Sequence, residues 1–259
     1  MQQPDVTRES LADDLRRLGI AEGDVLLVHS SLRSLGHVEG GPQTVVLALQ
    51  DVLTPSGTLT MPTLSYEDIG PAQPRFDVTQ TPSCTGLITE TFRTMPGVRR
   101  SLHPTHSLAA WGRLRDHIIE GHERCTSLGP VGSPWHKLFE HGASVLFMGC
   151  GLHTNTMLHC VESWASAPGC LNDEVEQLEV VDYEGRVIAV PQHRDAGRRW
   201  RFYAKMEPLL EAWGCMRTGR VGNAVCRLID SRVMVERTLR LLREVDPQFF
   251  THDRLPEEA

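Results

Sequence analysis

The chain has 259 residues, 40% hydrophobic and 23% charged, a composition ordinary for a globular α/β protein that buries its core without metal or disulfides. Its 26 Lys and Arg against 33 Asp and Glu give a formal charge of −7, which argues against a nucleic-acid partner and slightly favours a cationic ligand. The polar N-terminus argues against a signal peptide, and the lack of a run of about 20 apolar residues argues against a membrane span. The seven cysteines are scattered and contain no CxxC pair, which argues against a disulfide framework. We therefore expect a cytoplasmic protein.

The first two thirds of the chain alternate amphipathic helices with short apolar strands. In chain order, the pattern predicts a helix over residues 5–18, a strand over 25–28, a helix over 42–53, a strand over 57–61, a helix over 85–95, a strand over 108–111, helices over 114–121 and 134–139, a strand over 144–148 and a helix over 154–165. This alternation predicts the α/β class. No linker divides the chain, so we expect a single domain over residues 1–259.

Three regions are less regular. Residues 63–84 contain several prolines and little periodicity, which predicts a long loop, and long loops inside compact domains tend to be functional. Residues 174–190 alternate like a hairpin with its turn at Glu184-Gly185. Residues 200–213 are amphipathic, and the Leu/Val stripe of residues 224–244 predicts one or two helices.

The strongest candidate for a catalytic motif follows the strand over residues 144–148. Gly149-Cys150-Gly151 breaks the strand, which puts backbone N–H groups at the carboxyl edge of the sheet, where they could face a carbonyl or an anion. In the helix that follows, His159 and Glu162 share a face, so the carboxylate could orient an imidazole that acts as a general base. From spacing alone, a helical ion pair or a buried structural histidine is the commoner explanation.

Two other segments could bind a cofactor. Residues 28–36 follow the first strand and offer small hydroxyls and backbone donors that suit a pantetheine arm or a phosphate. Residues 99–104 carry two arginines that could meet the phosphates of a nucleotide-like cofactor. Alone, the first is equally compatible with an ordinary turn, and the second is more often a solvated basic turn. G-x-S-x-G, Walker, G-x-G-x-x-G and H-E-x-x-H motifs are absent, so we expect no metal.

Eight collinear segments together resemble the aminoglycoside 3-N-acetyltransferase family. They are residues 26–34, 57–62, 76–77, 86–90, 100–104, 132–134, 149–162 and 221–224. One such block would be unspecific, whereas eight in the family's order span the chain from about residue 10 to 250. The resemblance implies a layered α/β/α fold with a central mixed sheet, the antibiotic N-acetyltransferase-like fold. It also implies acetyl transfer from acetyl-coenzyme A to the 3-amine of an aminoglycoside, by a monomer or a homodimer.

The same resemblance implies roles for single residues. The family's T-x-x-H-x-x-E pattern falls on Thr156, His159 and Glu162, which makes His159 the general base, Glu162 its orienting partner and Thr156, or nearby N–H groups, the oxyanion donors. Coenzyme A contacts are implied for two sets of residues. They are His29, Ser30, Ser31, Leu32, Arg33 and Ser34, and Arg100, Ser101 and His103.

A pocket for a polycationic antibiotic requires carboxylates that offset the desolvation of its ammonium groups. The candidates are Glu67, Asp68 and Asp77 in the long loop, and Glu174 and Asp195 further along. Residues 191–201 are rich in arginine where the family usually carries more acid, which leaves the range of antibiotics open. Two other functions remain compatible with the sequence: acyl transfer to another small amine by the same fold, and non-catalytic binding of a small molecule.

Overall fold

The computed structural model describes residues 5–195 and 201–256, and at residues 172, 194 and 195 it describes the backbone alone. The helices of this part of the chain are α1 (Arg8–Leu18), α2 (Gly41–Leu53), α3 (Leu87–Thr94), α4 (Arg115–Ile119), α5 (Pro134–Glu140), α6 (Thr156–Trp164), α7 (Met206–Ala212) and α8 (Ser231–Arg240). The strands are β1 (Val25–Ser30), β2 (Thr58–Pro62), β3 (Arg75–Asp77), β4 (Arg99–Arg100), β5 (Leu108–Gly112), β6 (Ser144–Met148), β7 (Leu171–Glu176), β8 (Glu179–Val181), β9 (Val187–Ala189), β10 (Gln192–Asp195), β11 (Met216–Val221) and β12 (Ala224–Asp230).

Seven strands form one mixed sheet in the order β11-β12-β6-β1-β2-β5-β4. β1 lies at its centre and pairs in parallel with both β2 and β6, whereas the strands outside this trio are antiparallel to their neighbours. The chain leaves β1 for β2 on one side and returns later to β6 on the other. This reversal of strand order opens a crevice at the carboxyl ends of the central strands, where α/β sheets commonly bind ligands.

Helices cover both faces of the sheet. Leu26 and Val28 pack with α1, α2 and α3 on one face, whereas Leu27 and Phe147 pack with α5, α6, α7 and α8 on the other. Because successive side chains of a strand point to opposite faces, a strand covered on both faces carries a continuous apolar run, as β1 does over residues 25–28 and β6 over residues 145–148. The predicted layered α/β/α arrangement around a mixed sheet is confirmed.

The largest error of the sequence analysis lies in residues 216–230. The expected helix over residues 224–244 begins only at Ser231, after the hairpin of β11 and β12. Val221 pairs with Ala224, so Gly222 and Asn223 form a two-residue hairpin turn, and Gly222 has the positive φ (53°) that such turns favour. Asp230 then caps α8 by accepting hydrogen bonds from the backbone N–H groups of the first helical turn.

Two small sheets flank the central one. β8 and β9 form the predicted hairpin, with Val180 opposite Ile188, but β7 pairs with β10 instead of joining that hairpin. β3, a short strand inside the predicted long loop, pairs with β8 and buries Phe76. Among the described residues, no helix is both long enough and apolar enough to cross a membrane.

Candidate active site

A cavity of about 1630 Å³ opens at the carboxyl ends of β1 and β2, beside the loop that follows β6. Single-ligand pockets usually measure ~300–1,000 Å³, so this cavity has room for two small substrates side by side. The residues that carry its polar chemistry come from six parts of the chain. They are His29, Ser30, Glu67, Asp68, His106, His153, Thr156, His159, Glu176, Gln192 and His193.

The start of α6 forms one wall of the cavity. Gly149 has φ of 73°, and a Cβ there would lie 2.6 Å from the Cβ of Ser34, so this tight passage requires glycine. Asn155 then caps the helix by accepting a hydrogen bond from Met157 N at 3.2 Å. Thr156, the predicted oxyanion donor, is the first residue of α6 and lines the cavity. The strand-glycine-helix geometry therefore agrees with the sequence prediction.

His159 and Glu162 lie on the same face of α6, as their spacing predicted. His159 Nδ1 and Glu162 Oε2 are 4.0 Å apart, close enough for electrostatic attraction and too far for a direct hydrogen bond. His159 lines the cavity with 30% of its side chain exposed, whereas Glu162 lies behind it and is 3% exposed. The imidazole therefore faces the cavity and the carboxylate supports it from the protein interior.

Two residues that the sequence analysis did not assign hold Glu162. Tyr203 donates its hydroxyl to Glu162 Oε2, and Arg201 Nε lies 3.0 Å from Oε1 and 3.1 Å from Oε2. Arg201 belongs to the arginine-rich segment that left the antibiotic range open, and its guanidinium compensates a buried carboxylate. A buried charge requires such a partner, because desolvation of an unpaired carboxylate is costly.

The surroundings of His159 keep its imidazole neutral. Burial, with smaller contributions from the charges of His106 and Arg201, lowers its pKa from 6.5 to about 3. A neutral imidazole has a free lone pair and can accept a proton, which is what a general base requires.

The His29–Ser34 segment divides between two sites. His29 and Ser30 line the main cavity, and His29 stacks on Phe147 with ring centroids 4.9 Å apart. The buried atoms His29 Nε2 and Ser30 Oγ have no hydrogen-bond partner among the described residues. Ser34 lines a separate groove of about 280 Å³ on the other side of Gly149, and its Oγ donates to Gly149 O at 2.8 Å. Ser31, Leu32 and Arg33 line neither space.

The structure does not bring Arg100, Ser101 and His103 to the cavity. Arg100 is buried, and its guanidinium donates to Thr81 O and Thr63 O, both at 2.5 Å, and to Ser107 Oγ at 2.8 Å. Ser101 Oγ is hydrogen-bonded to His122 Nδ1, and His103 Nε2 is hydrogen-bonded to Ser127 O, so these two side chains are also held inside the protein. The expectation that these three residues contact coenzyme A therefore does not fit their burial. They hold together the loop that carries His106.

The acidic candidates also separate. Glu67 and Asp68 line the cavity and are exposed to it. Asp77 lies outside and accepts hydrogen bonds from Thr79 N, Thr79 Oγ1 and Gln80 N, so its carboxylate stabilises a local turn. Glu174 does not line the cavity, and the side chain of Asp195 lies outside the described residues. Glu176, which the sequence analysis did not select, does line it.

The chain is similar in sequence and in fold to known acetyltransferases. A family model described as aminoglycoside 3-N-acetyltransferase matches residues 27–243. Aminoglycoside N(3)-acetyltransferase IV of Salmonella sp is 34% identical over 245 residues, which cover 95% of this chain and 90% of that protein. The crystal structure of an alanine mutant of aminoglycoside acetyltransferase AAC(3)-IVa with a gentamicin has a TM-score of 0.84 at 32% identity, covering 97% of this chain and 93% of that one. AAC-IIIb with CoASH has a TM-score of 0.81 at 29% identity, covering 93% and 97%.

Proposed function

The chain belongs to the aminoglycoside 3-N-acetyltransferase family, and from that premise we propose that it transfers the acetyl group of acetyl-coenzyme A to the 3-amino group of the 2-deoxystreptamine ring of aminoglycosides. Such acetylation removes a positive charge from the antibiotic and would confer resistance. The observation that carries the proposal is that one cavity is lined by His159, by His29 and Ser30 at the end of β1, and by Glu67 and Asp68.

In this mechanism His159 is the general base. Its Nδ1 faces Glu162, so Nε2 is the nitrogen that takes the proton of the acceptor amine. The amine nitrogen then forms a bond to the thioester carbonyl carbon, and the carbon–sulfur bond breaks as the acetyl group moves to nitrogen. The proton held by His159 passes to the departing thiolate, which leaves as coenzyme A thiol and restores the neutral imidazole. General base assistance of this kind contributes ~10²–10⁴ in rate.

The carbonyl oxygen gains negative charge as the nitrogen attacks. Thr156, at the start of α6, and the backbone N–H groups around it are the donors that would stabilise this charge. Glu162 would favour the protonated form of His159 as it appears, because attraction between opposite charges 4.0 Å apart increases when the imidazole becomes cationic. The positive charge of Arg201 opposes this effect, and it adds to the burial that lowers the pKa of the resting imidazole.

Two groups of residues that line the cavity suit two different ligands. In one group, the buried atoms His29 Nε2 and Ser30 Oγ have no hydrogen-bond partner in the described part of the chain, and the polar amides of a pantetheine arm would supply one. Glu67 and Asp68 supply negative charge for the ammonium groups of the acceptor. The solved relatives with CoASH and with a gentamicin support both assignments by similarity.

The test is a thiol-release assay with acetyl-coenzyme A and kanamycin, gentamicin or apramycin as acceptors, followed by NMR of the product to locate the new amide. We expect stoichiometric thiol release and acetylation at the 3-amine. A panel of simple amines is the matched control, and turnover of these amines without turnover of any aminoglycoside would show a different acyltransferase. Binding of acetyl-coenzyme A without thiol release would instead show a non-catalytic protein.

A further inference from the structure

One tyrosine contacts both members of the His159–Glu162 pair. The hydroxyl of Tyr203 donates to Glu162 Oε2, and its ring stands edge-on to the His159 imidazole, with centroids 4.8 Å apart and planes at 88°. Tyr203 is 1% exposed, so its position is fixed by packing. A side chain that touches the carboxylate at its tip and the imidazole along its ring restricts the movement of both groups.

The turn that carries Tyr203 is held by the segment over residues 249–254, which we call the clamp segment. Tyr203 packs edge-on against Phe250, with centroids 4.8 Å apart, and Phe202 N donates to Phe250 O at 3.0 Å. Lys205, in the same short 3-10 helix as Tyr203, donates its Nζ to three backbone oxygens of the clamp segment. They are Phe249 O, His252 O at 2.6 Å and Arg254 O at 2.9 Å.

The match between Lys205 and the clamp segment is specific. An ammonium group has three N–H donors, and each has a carbonyl acceptor here. The Nζ also lies 3.5 Å from the centroid of the Phe249 ring, a cation–π contact. The Lys205 side chain therefore connects two segments that are far apart in the sequence, and it does so directly beside Tyr203.

We propose that Tyr203 is a positioning residue for His159, and that the clamp segment keeps Tyr203 in place through Lys205. This inference rests on the proposed function of His159 as the base. Without the Tyr203 hydroxyl, Arg201 still neutralises Glu162 and contacts Oε2, but Oε2 loses its hydrogen bond to the side chain that packs against the imidazole. The base then spends less time in the productive orientation, and small losses of alignment reduce the rate of the chemical step.

The first test compares two tyrosine-to-phenylalanine variants. Tyr203→Phe removes one hydroxyl and keeps the ring, and we expect kcat to fall about tenfold while KM for acetyl-coenzyme A stays unchanged. Tyr183→Phe is the matched control, because the Tyr183 hydroxyl is hydrogen-bonded too, but outside the cavity. It accepts from Arg100 N at 2.6 Å and donates to Arg100 O at 3.1 Å. We expect the control to keep its kcat.

The second test separates positioning from stability. Lys205→Met should lower kcat severalfold, and Lys205→Arg, which keeps the donors, should restore part of it. The matched control is Lys137→Met, because Lys137 Nζ also donates to two backbone oxygens, His117 O at 2.7 Å and Glu120 O at 2.9 Å, on α4 and just after it. Lys205→Met and Lys137→Met should both lower Tm, but Lys137→Met should leave kcat unchanged.

A third measurement does not depend on turnover. It is NMR of the protein labelled with ¹⁵N-histidine. The His159 signals are assigned from their loss in His159→Gln. We expect these signals to be shifted or broadened in Tyr203→Phe and unchanged in Tyr183→Phe. If the wild type releases no thiol with any aminoglycoside, the proposed function fails, and these signals alone decide the positioning. Wild-type kcat together with wild-type His159 signals in Tyr203→Phe would overturn the inference, as would equal losses of kcat in Lys205→Met and Lys137→Met.

Discussion

His159 Nδ1 and Glu162 Oε2 lie 4.0 Å apart, and the carboxylate makes its shorter contacts with Tyr203 and Arg201. This separation is too long for a direct hydrogen bond, and because the resting imidazole is neutral, attraction between two full charges arises only when His159 takes up a proton. Glu162 contributes both to the site and to the packing around it, whereas His159 faces the cavity. The two residues should therefore respond differently to substitution.

His159→Ala should lower kcat by about 10²–10⁴, because it removes the group that takes the proton of the acceptor amine. The dissociation constant for coenzyme A should stay close to that of the wild type, since the assigned cofactor contacts lie on β1. Steady-state kinetics and calorimetric titration measure the two quantities. His117→Ala, an exposed position outside the cavity, is the control. Near wild-type kcat in a folded His159→Ala variant would contradict the base assignment.

Glu162→Gln should reduce both activity and stability. The substitution leaves Arg201 without its buried negative partner, and breaking a buried ion pair typically costs ~3–5 kcal/mol. Glu207→Gln removes a carboxylate that pairs with Arg227 at 2.6 Å but is 35% exposed, so it should cost ~1 kcal/mol or less. Urea unfolding of both variants gives the comparison. Equal losses of unfolding free energy would show that the Glu162–Arg201 pair behaves as a surface pair.

Ser30→Ala should raise KM for acetyl-coenzyme A about two- to tenfold without reducing stability. Among residues 5–195 and 201–256, buried Ser30 Oγ has no hydrogen-bond partner, so its removal costs no hydrogen bond there, whereas a bound cofactor would lose one worth ~0.5–1.5 kcal/mol. Ser231, at the start of α8 and not among the residues that line the cavity, also has a buried Oγ for which the described residues supply no partner. Ser231→Ala should therefore match Ser30→Ala in stability and keep the wild-type KM. An unchanged KM in Ser30→Ala would remove Ser30 from the cofactor contacts.

The central sheet was predictable where both of its faces are covered, because β1 and β6 are apolar at nearly every position. The strands β11 and β12 were not predictable from the sequence. β11 lies at the edge of the sheet and is mostly exposed, so its sequence lacks an apolar run, and the Val/Leu residues of β12 merge with the stripe of α8. The Gly222-Asn223 pair was the one local sign of a hairpin at this place.

The catalytic pair was predictable because its two members lie three residues apart on one helix. Tyr203 and Arg201 were not, because they meet Glu162 from 41 and 39 residues away, and only the packing of the later helices brings them there. Arg100 shows a different relation between sequence and structure. An arginine in a polar segment suggests a solvated or ligand-binding side chain, but here backbone carbonyls satisfy the guanidinium inside the protein.

Acid should destabilise the protein below pH 6.5. Burial lowers the pKa of His29 and of His122 to about 3, so between pH 6.5 and 3 the unfolded chain binds more protons than the folded one. The free energy of unfolding therefore has its full value above pH 6.5 and falls as the pH decreases, by up to ~1.4 kcal/mol per pH unit for each histidine. Urea unfolding from pH 7 to 4 measures this slope. His29→Leu should reduce it, and His37→Gln, at a side chain that is 81% exposed, is the control. Equal slopes in both variants would contradict the assignment.

The carboxylates on the cavity wall should control binding of the acceptor. An aminoglycoside carries several ammonium groups, and Glu67 and Asp68 are exposed in the cavity where they can pair with them. Such pairs are screened by salt over a Debye length of ~8–10 Å, so affinity should weaken as ionic strength rises. Glu67→Gln and Asp68→Asn should each weaken binding about threefold, as expected for partly exposed pairs worth ~0.5–1 kcal/mol.

Asp77→Asn supplies the control for these two variants, because Asp77 comes from the same loop region but its carboxylate is used by Thr79 and Gln80 outside the cavity. Calorimetric titration at low and high salt should show a smaller salt dependence in Glu67→Gln and Asp68→Asn, and the wild-type dependence in Asp77→Asn. The control distinguishes local charge from net charge, since all three substitutions remove one negative charge. If all three weaken binding equally, the attraction comes from the overall charge of −7 and not from the cavity wall. If none does, the antibiotic binds elsewhere, and Glu176 becomes the carboxylate to replace next, because it lines the same cavity.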